Sequence, residues 1–520
     1  MDLRAVLFAI GVAALGQGVA HAQSYLLSAP LAPGQDVRGF EVSPDGRWAI
    51  FADGHLYAVS LRGDAHPFRL DERPVYYTGT ISPDSRRVVY FTAEPSLASV
   101  PIDGTEPPFD LEAYGEMKIT PDGRTVVVRG PGALVSVPID HPAEPVLLHT
   151  TSRIVGFVLT PDSKKVVYVI EGAFSEGGLA YAAELDGSTP PVQLNTNATI
   201  ATTYEEYLLI TPDSSRLVFR QGRASTVGRL DSVPLDASAS PVQLSVGTMN
   251  VNWYVGLMPK ITADGTVVFK HDILSHVYSV PASGDAPAVL LSEGIPGPFT
   301  LDYEPGLDGH DVLFVAGSSA TEWNVYRTPI DGSTPPVPLS APGQNAVFFE
   351  FDPAGERAAL LGRAEPDDRS TLWSVPVDGS AAPLRLADSP DEIVGEDYAL
   401  DFTPDGSWIV YTTAHRYGAS YELEDSEVHL FAVPTDGSAE PVRLDPRMAR
   451  GGSVRYTRFR PDGVTGGILF RLAANGKRVV YMADQRENDV FELFSAELPE
   501  RFEAGPLRSP RIPALGKPRP

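Results

Sequence analysis

The chain has 520 residues, with 67 Asp plus Glu against 41 Lys plus Arg, a formal net charge of −26 at pH 7, and no cysteine. That acidic balance repels phosphate backbones, so nucleic acid is excluded as an expected partner while cationic partners and divalent cations stay open. The missing thiol excludes disulfides, zinc–thiolate sites and cysteine nucleophiles, and a chain of this length must hold together by core burial.

The first element read from the N-terminus is a leader. Arg4 precedes an apolar run from Ala5 to Leu15, and the stretch reaches Ala20-His21-Ala22 just before Gln23. A charged start, a short apolar core and an A-x-A cut predict a secretory signal peptide over residues 1–22. The core falls short of the roughly 20 apolar residues of a membrane span, and no later segment supplies one. The expectation is an exported chain, periplasmic or extracellular.

From about Val37 one unit recurs, which overrides any domain count taken from length. Its first turn appears as Ser43-Pro44-Asp45-Gly46, Ser82-Pro83-Asp84-Ser85, Thr120-Pro121-Asp122-Gly123 and Thr160-Pro161-Asp162-Ser163. It returns as Thr211-Pro212-Asp213-Ser214, Thr262-Ala263-Asp264-Gly265 and Thr403-Pro404-Asp405-Gly406, with worn copies starting at Gly306, Asp352 and Ala473. Pro presets φ, Asp with Gly or Ser suits a tight turn, and the leading hydroxyl can bond the turn's own backbone.

Each turn is followed by a short apolar run such as Arg87-Val88-Val89-Tyr90, Lys165-Val166-Val167-Tyr168 or Arg478-Val479-Val480-Tyr481. Such runs fit strands buried on both faces. A third piece ends in Val-Pro and a second turn, as at Val100-Pro101-Ile102-Asp103-Gly104. The fourth carries proline at or near its start, as at Pro191-Val192-Gln193-Leu194. Proline cannot donate to a ladder, so the fourth strand is expected at an outer edge.

Four antiparallel strands from centre to edge make one propeller blade. The predicted fold is therefore an all-β propeller of about ten four-stranded blades over residues 23–502, with almost no helix. A Pro-rich tail occupies 503–520. One wide ring is the first choice and two packed propellers the second, with a solenoid of hairpins as the structural alternative. Ring closure is open between Tyr25-Leu26-Leu27 and Pro506-Leu507-Arg508 as the outer strand of the last blade.

The Ser/Thr-Pro-Asp-Gly turn, the Val-Val-Tyr strand and the Val-Pro strand together resemble the TolB-type propeller repeat, a relative of WD repeats. The resemblance covers about Val37 to Pro499. It implies periplasmic binding to partner proteins rather than a reaction. The α/β domain that precedes the propeller in that family is not expected, because only Gln23 to about Asp36 lies before the first repeat.

In a blade, turns 1–2 and 3–4 share one face of the disc, while loops 2–3 and 4–1 share the other. The first set is short and regular; the second varies widely, for example at 195–207, 245–256 and 412–429. Loops carry function on rigid scaffolds, so the variable face is the expected binding face. Its candidate partner-binding residues are Tyr204, Tyr207, Trp253, Tyr254, Trp323, Tyr417 and Tyr421, set against their alternative role of packing the loops onto the disc. The run Glu422, Glu424, Asp425, Glu427 offers oxygen ligands for calcium, but it lacks the spacing of an EF-hand loop and reads first as a solvated surface.

No catalytic pattern emerges. There is no G-x-S-x-G elbow and no H-E-x-x-H, and the turn aspartates have a structural context. His271 and His276, five apart, read as opposite faces of one strand and hence as unable to share a metal. No cofactor is expected. The expected function is an exported, non-enzymatic scaffold that engages a protein or polysaccharide. Its alternatives are a hydrolase or lyase with channel carboxylates and a calcium-stabilised surface protein.

Overall fold

The repeated turn is held from within. In the first copy the Ser43 hydroxyl donates to Asp45 Oδ1 at 2.6 Å and accepts the Trp48 amide at 3.0 Å, while Asp45 Oδ1 accepts the Arg47 amide at 3.0 Å. The same triplet recurs around Ser82, Thr120, Thr160, Thr211 and Thr403. Each copy ends one strand and reverses the chain into the next. Where the leading hydroxyl is lost, Asp352 substitutes for it and accepts the amides of Glu356 and Arg357.

The protein is seen here as a computed structural model. It describes residues 22–31, 34–62, 66–93, 96–151, 153–171, 178–195, 208–221, 228–246, 258–271, 276–295, 299–306, 308–319, 322–364, 369–389, 392–393, 400–416, 426–445, 448–449, 452–455 and 470–499. Regular structure among these residues is all β and falls into ten antiparallel sheets. Taken in chain order, blades 1 to 10 cover 39–69, 80–110, 116–149, 154–193, 208–243, 260–290, 299–338, 346–389, 392–443 and 470–497. Within the sheets the strands follow sequence order, and blade 9 adds a short strand, Glu392–Ile393, beside Leu400–Phe402.

First strands of successive blades approach one another, as Gly39–Val42 approaches both Thr80–Ile81 and Phe470–Leu472, so the first strands form the hub. The proline-led fourth strands lie at the rim, where a missing N–H costs no ladder bond. Blade 10 takes its rim strand from the other end of the chain. Ser24–Leu26 pairs antiparallel with Glu492–Glu497, in register Ser24 to Ala496 and Leu26 to Phe494. The tail at 503–520 lies outside the described residues.

The core is divided into ten apolar clusters, one between each pair of neighbouring blades. Between blades 1 and 2 it contains Ile50, Leu56, Val88, Tyr90 and Val100; between blades 10 and 1 it contains Val480, Leu493, Ala49 and Phe51. The last cluster closes the circle, which makes a single ten-bladed ring rather than two propellers. It also explains the composition of the second strands. Val88, Val89 and Tyr90 are fully buried because each side of a radial sheet faces a neighbouring blade. Every such side chain contributes about 1.5–3 kcal/mol on burial.

Successive turns also interlock. Ser85, Ser163 and Ser214 hold the fourth turn position at φ of 63°, 61° and 58°. Their hydroxyls accept the amides of Asp45, Asp122 and Asp162 in the preceding blade, each at 3.0 Å. That bond offsets the roughly 1 kcal/mol or more that a left-handed conformation costs a serine. At Gly46 the same position allows no side chain, since a Cβ would lie 2.3 Å from the Ala474 nitrogen of blade 10.

Candidate binding face

The two faces of the disc are built differently. The face of the 1–2 and 3–4 turns is made of the interlocked turns, and its second turns are equally close-fitted. Gly104, at φ 65°, presses on the preceding blade so that a Cβ would lie 2.8 Å from the Phe68 ring. On the opposite face the rim strand ends in Leu followed by a polar residue that bonds the third strand. Asn195 Oδ1 accepts the Ala180 amide at 2.8 Å, and Ser245, Ser292 and Ser340 accept those of Leu230, Val277 and Val325 at 3.1–3.2 Å. This cap ties the end of the rim strand to the third strand in blades 4 to 7.

Two blades replace the cap with a buried aspartate. In blade 9, Asp445 lies 2.9 Å from both His429 Nδ1 and Arg443 Nε. In blade 1, Asp71 accepts the Tyr90 hydroxyl at 2.5 Å and Arg73 Nε at 2.8 Å, and Arg73 reaches on to Asp110 at 2.6 Å. Burial pushes the Asp71 carboxyl up, but the bonds from Arg73 and Tyr90 prevail and hold it below the usual carboxylate range. Burial, with Asp71 beside it, pushes the Tyr90 phenol well up.

Of the aromatic residues proposed from the sequence, Tyr204, Tyr207, Trp253, Tyr254, Tyr417 and Tyr421 lie outside the described residues, as do Glu422, Glu424 and Asp425. Trp323 is half-buried in the strand Glu322–Pro329. Its ring lies over Gly317, where a Cβ would sit 2.8 Å from it, and packs against the cluster between blades 7 and 8. Glu427 Oε1 lies 3.6 Å from His429 Nε2. Among the described residues no group of three or more His, Asp or Glu is placed to hold a metal.

The variable face carries aromatics that the sequence reading passed over. Tyr76 and Tyr77, between blades 1 and 2, are 60% and 57% exposed, and Tyr114, between blades 2 and 3, is 52% exposed. They sit on short loops, whereas loop length directed attention elsewhere. Val75 and Thr78 are buried on either side of the Tyr76-Tyr77 pair, which turns both tyrosines outward, and no sequence pattern marks this.

At the hub, the residue two before each first turn lies in the innermost strand of its blade. Several of these residues reach the next blade. Glu41 accepts the Ile81 amide at 3.1 Å, the Lys118 ammonium lies 5.2 Å from the Phe157 ring centre, and Lys260 pairs with Glu304. Glu350 and Asp401 continue the series as exposed side chains. Asp401 is exposed yet flanked by protein; this crowding pushes its carboxyl up to about 6, against the opposing pull of the Phe402 amide and of Arg471.

One sequence expectation is corrected. His271 and His276 do not share a strand: they end and begin the two strands of one hairpin and are directly paired across it. Cross-strand partners point to the same side of a sheet, so the two imidazoles are neighbours. Their surroundings differ, since the buried His271 Nδ1 has no hydrogen-bond partner among the described residues. His276 Nδ1 lies 2.9 Å from Ser292 Oγ, and His271 is buried with its ring 6.4 Å from that of Tyr278. Burial, with His271 adding to it, lowers the His276 pKa.

The chain is thus a ten-bladed β-propeller. No family model matches it, and no curated protein does. Its fold is similar to that of solved propeller proteins at low identity. A eukaryotic initiation factor shares 10% identity over 69% of this chain and 89% of its own, with a TM-score of 0.49. An oligogalacturonate lyase of Vibrio parahaemolyticus shares 12% over 92% and 99%, with 0.37. A TolB-type protein of Agrobacterium tumefaciens shares 14% over 69% and 95%, with 0.28.

Proposed function

We propose that this chain is an exported, non-enzymatic binding scaffold that engages a protein or polysaccharide through its variable-loop face. The supporting observation is the asymmetry of the disc. One face is committed to turn-to-turn hydrogen bonds at three blade junctions and to close glycine contacts between blades. The other carries the capped strand ends, followed in the sequence by connections of unequal length. A rigid frame with variable loops on one face is the arrangement that recognition sites use. Export rests on the leader read at residues 1–22.

The test is affinity capture from an envelope extract, comparing the intact chain with variants shortened at 196–207 and 417–425. A partner held by the intact chain and lost from the shortened ones supports the reading; equal capture by all forms rejects it. A second reading, a hydrolase or lyase acting through channel carboxylates, draws on Asp401. A carboxyl near 6 lies in the range suited to general acid catalysis, and Glu304 and Glu350 precede it on consecutive inner strands. Turnover of a glycan or peptide by the wild type, lost on Asp401→Asn, would favour that reading.

A further inference from the structure

We infer that Tyr76, Tyr77 and Tyr114 form a recognition platform for a basic, Lys/Arg-bearing segment of a protein partner. This deepens the scaffold reading and rests on it.

The three tyrosines stand on the two sides of one blade tip. The Ala93 amide, in the 2–3 loop of blade 2, donates to Pro74 O at 3.0 Å; across the same loop the Leu97 amide donates to Ala113 O at 3.0 Å. The 71–79 and 111–115 loops are therefore both tied to blade 2, and their tyrosines flank its end. Tyr114 also meets Phe91 of this blade edge-on, with ring centres 6.1 Å apart.

The platform is rigid below and exposed above. The first loop is pinned by the bonds of Asp71 and Arg73 with Tyr90 and Asp110, by the Val75 amide on Gly54 O at 2.9 Å, and by buried Val75 in the core between blades 1 and 2. The second is pinned at Gly115, where φ is 143° and a Cβ would meet Arg129 O at 2.0 Å. Large aromatic rings held outward by buried anchors lose little entropy on binding, and exposed aromatic anchors of this kind are typical of binding surfaces.

Charge selects the occupant. Ring faces are electron-rich and attract Lys and Arg. Two neighbouring carboxylates are already paired: Glu72, 89% exposed, with Arg69 at 2.8 Å, and Asp110, 52% exposed, with Arg73 at 2.6 Å. Glu112 stands exposed two residues before Tyr114. The whole chain, at −26, attracts cations and repels acidic ligands, and Glu112 adds a carboxylate beside Tyr114.

The experiment is fluorescence anisotropy of the full chain with a labelled Lys/Arg-Gly peptide, at two salt concentrations. A Glu-Gly peptide and a neutral oligosaccharide serve as competitors. Saturable binding by the wild type is expected, weakened about tenfold or more by the triple variant Tyr76→Ala, Tyr77→Ala, Tyr114→Ala and largely retained by the matching Phe variant. Circular dichroism checks that both variants keep the fold. Binding unchanged in the Ala variant, or displacement by the neutral glycan but not by excess unlabelled basic peptide, overturns the platform. If the platform fails while loop-dependent capture persists, the scaffold reading stands without it; if both fail, that reading falls too.

Discussion

The serine at the fourth turn position is where local strain and ring assembly meet. Ser85 sits at φ 63° and accepts the Asp45 amide of the preceding blade. Ser85→Ala keeps the strain and loses the bond, so a loss of about 1–2 kcal/mol is expected; Ser85→Gly loses the bond but relieves the strain and should cost less. Chemical denaturation distinguishes them, and equal losses would contradict the interlock. Asp401 makes a pH-dependent prediction. Its carboxyl is raised from 3.8 to about 6, so between those values the folded chain holds more proton than the unfolded one. The stability it contributes is present below that window and lost as pH rises through it. Asp401→Asn should therefore melt above the wild type at pH 7, with a margin that vanishes below about pH 4; a constant margin would refute the shift. At this scale the turn hydroxyls were legible in the sequence because their partners are two to five residues away. The exposure of Tyr76 and Tyr77 was not, because it depends on the inward course of Val75 and Thr78.

Among the elements, the closing strand carries the heaviest consequence for its length. Ser24–Leu26 covers the edge of Glu492–Glu497, and Leu27 enters the cluster shared by blades 10 and 1. Deleting residues 24–31 is expected to cost about 3 kcal/mol or more, seen as a fall in calorimetric melting temperature, because it removes ladder bonds and buried leucine together. An unchanged melting temperature would mean that closure does not depend on this strand. The repeat itself was readable because its turns and apolar runs are local patterns. The choice of closing strand was not, since it pairs residues from opposite ends of the chain. His271 and His276 were misassigned for a related reason: a spacing of five fits a strand, and it equally fits the facing ends of two paired strands.

For the molecule as a whole, ten blades with ten interblade cores leave no free blade face, and the rim is edged by short proline-led strands. Both disc faces remain for recognition, and the variable face is the one proposed for it. Because the chain has no cysteine, single cysteines can carry a photocrosslinker to chosen sites without competition. The most direct measurement places it at Glu72→Cys or Glu112→Cys on the variable face and at Asp103→Cys or Ser380→Cys on the regular face, then exposes each form to envelope extract. A discrete covalent partner is expected from the variable-face positions alone; adducts from Asp103→Cys or Ser380→Cys, with none from the other two, would place recognition on the regular face instead.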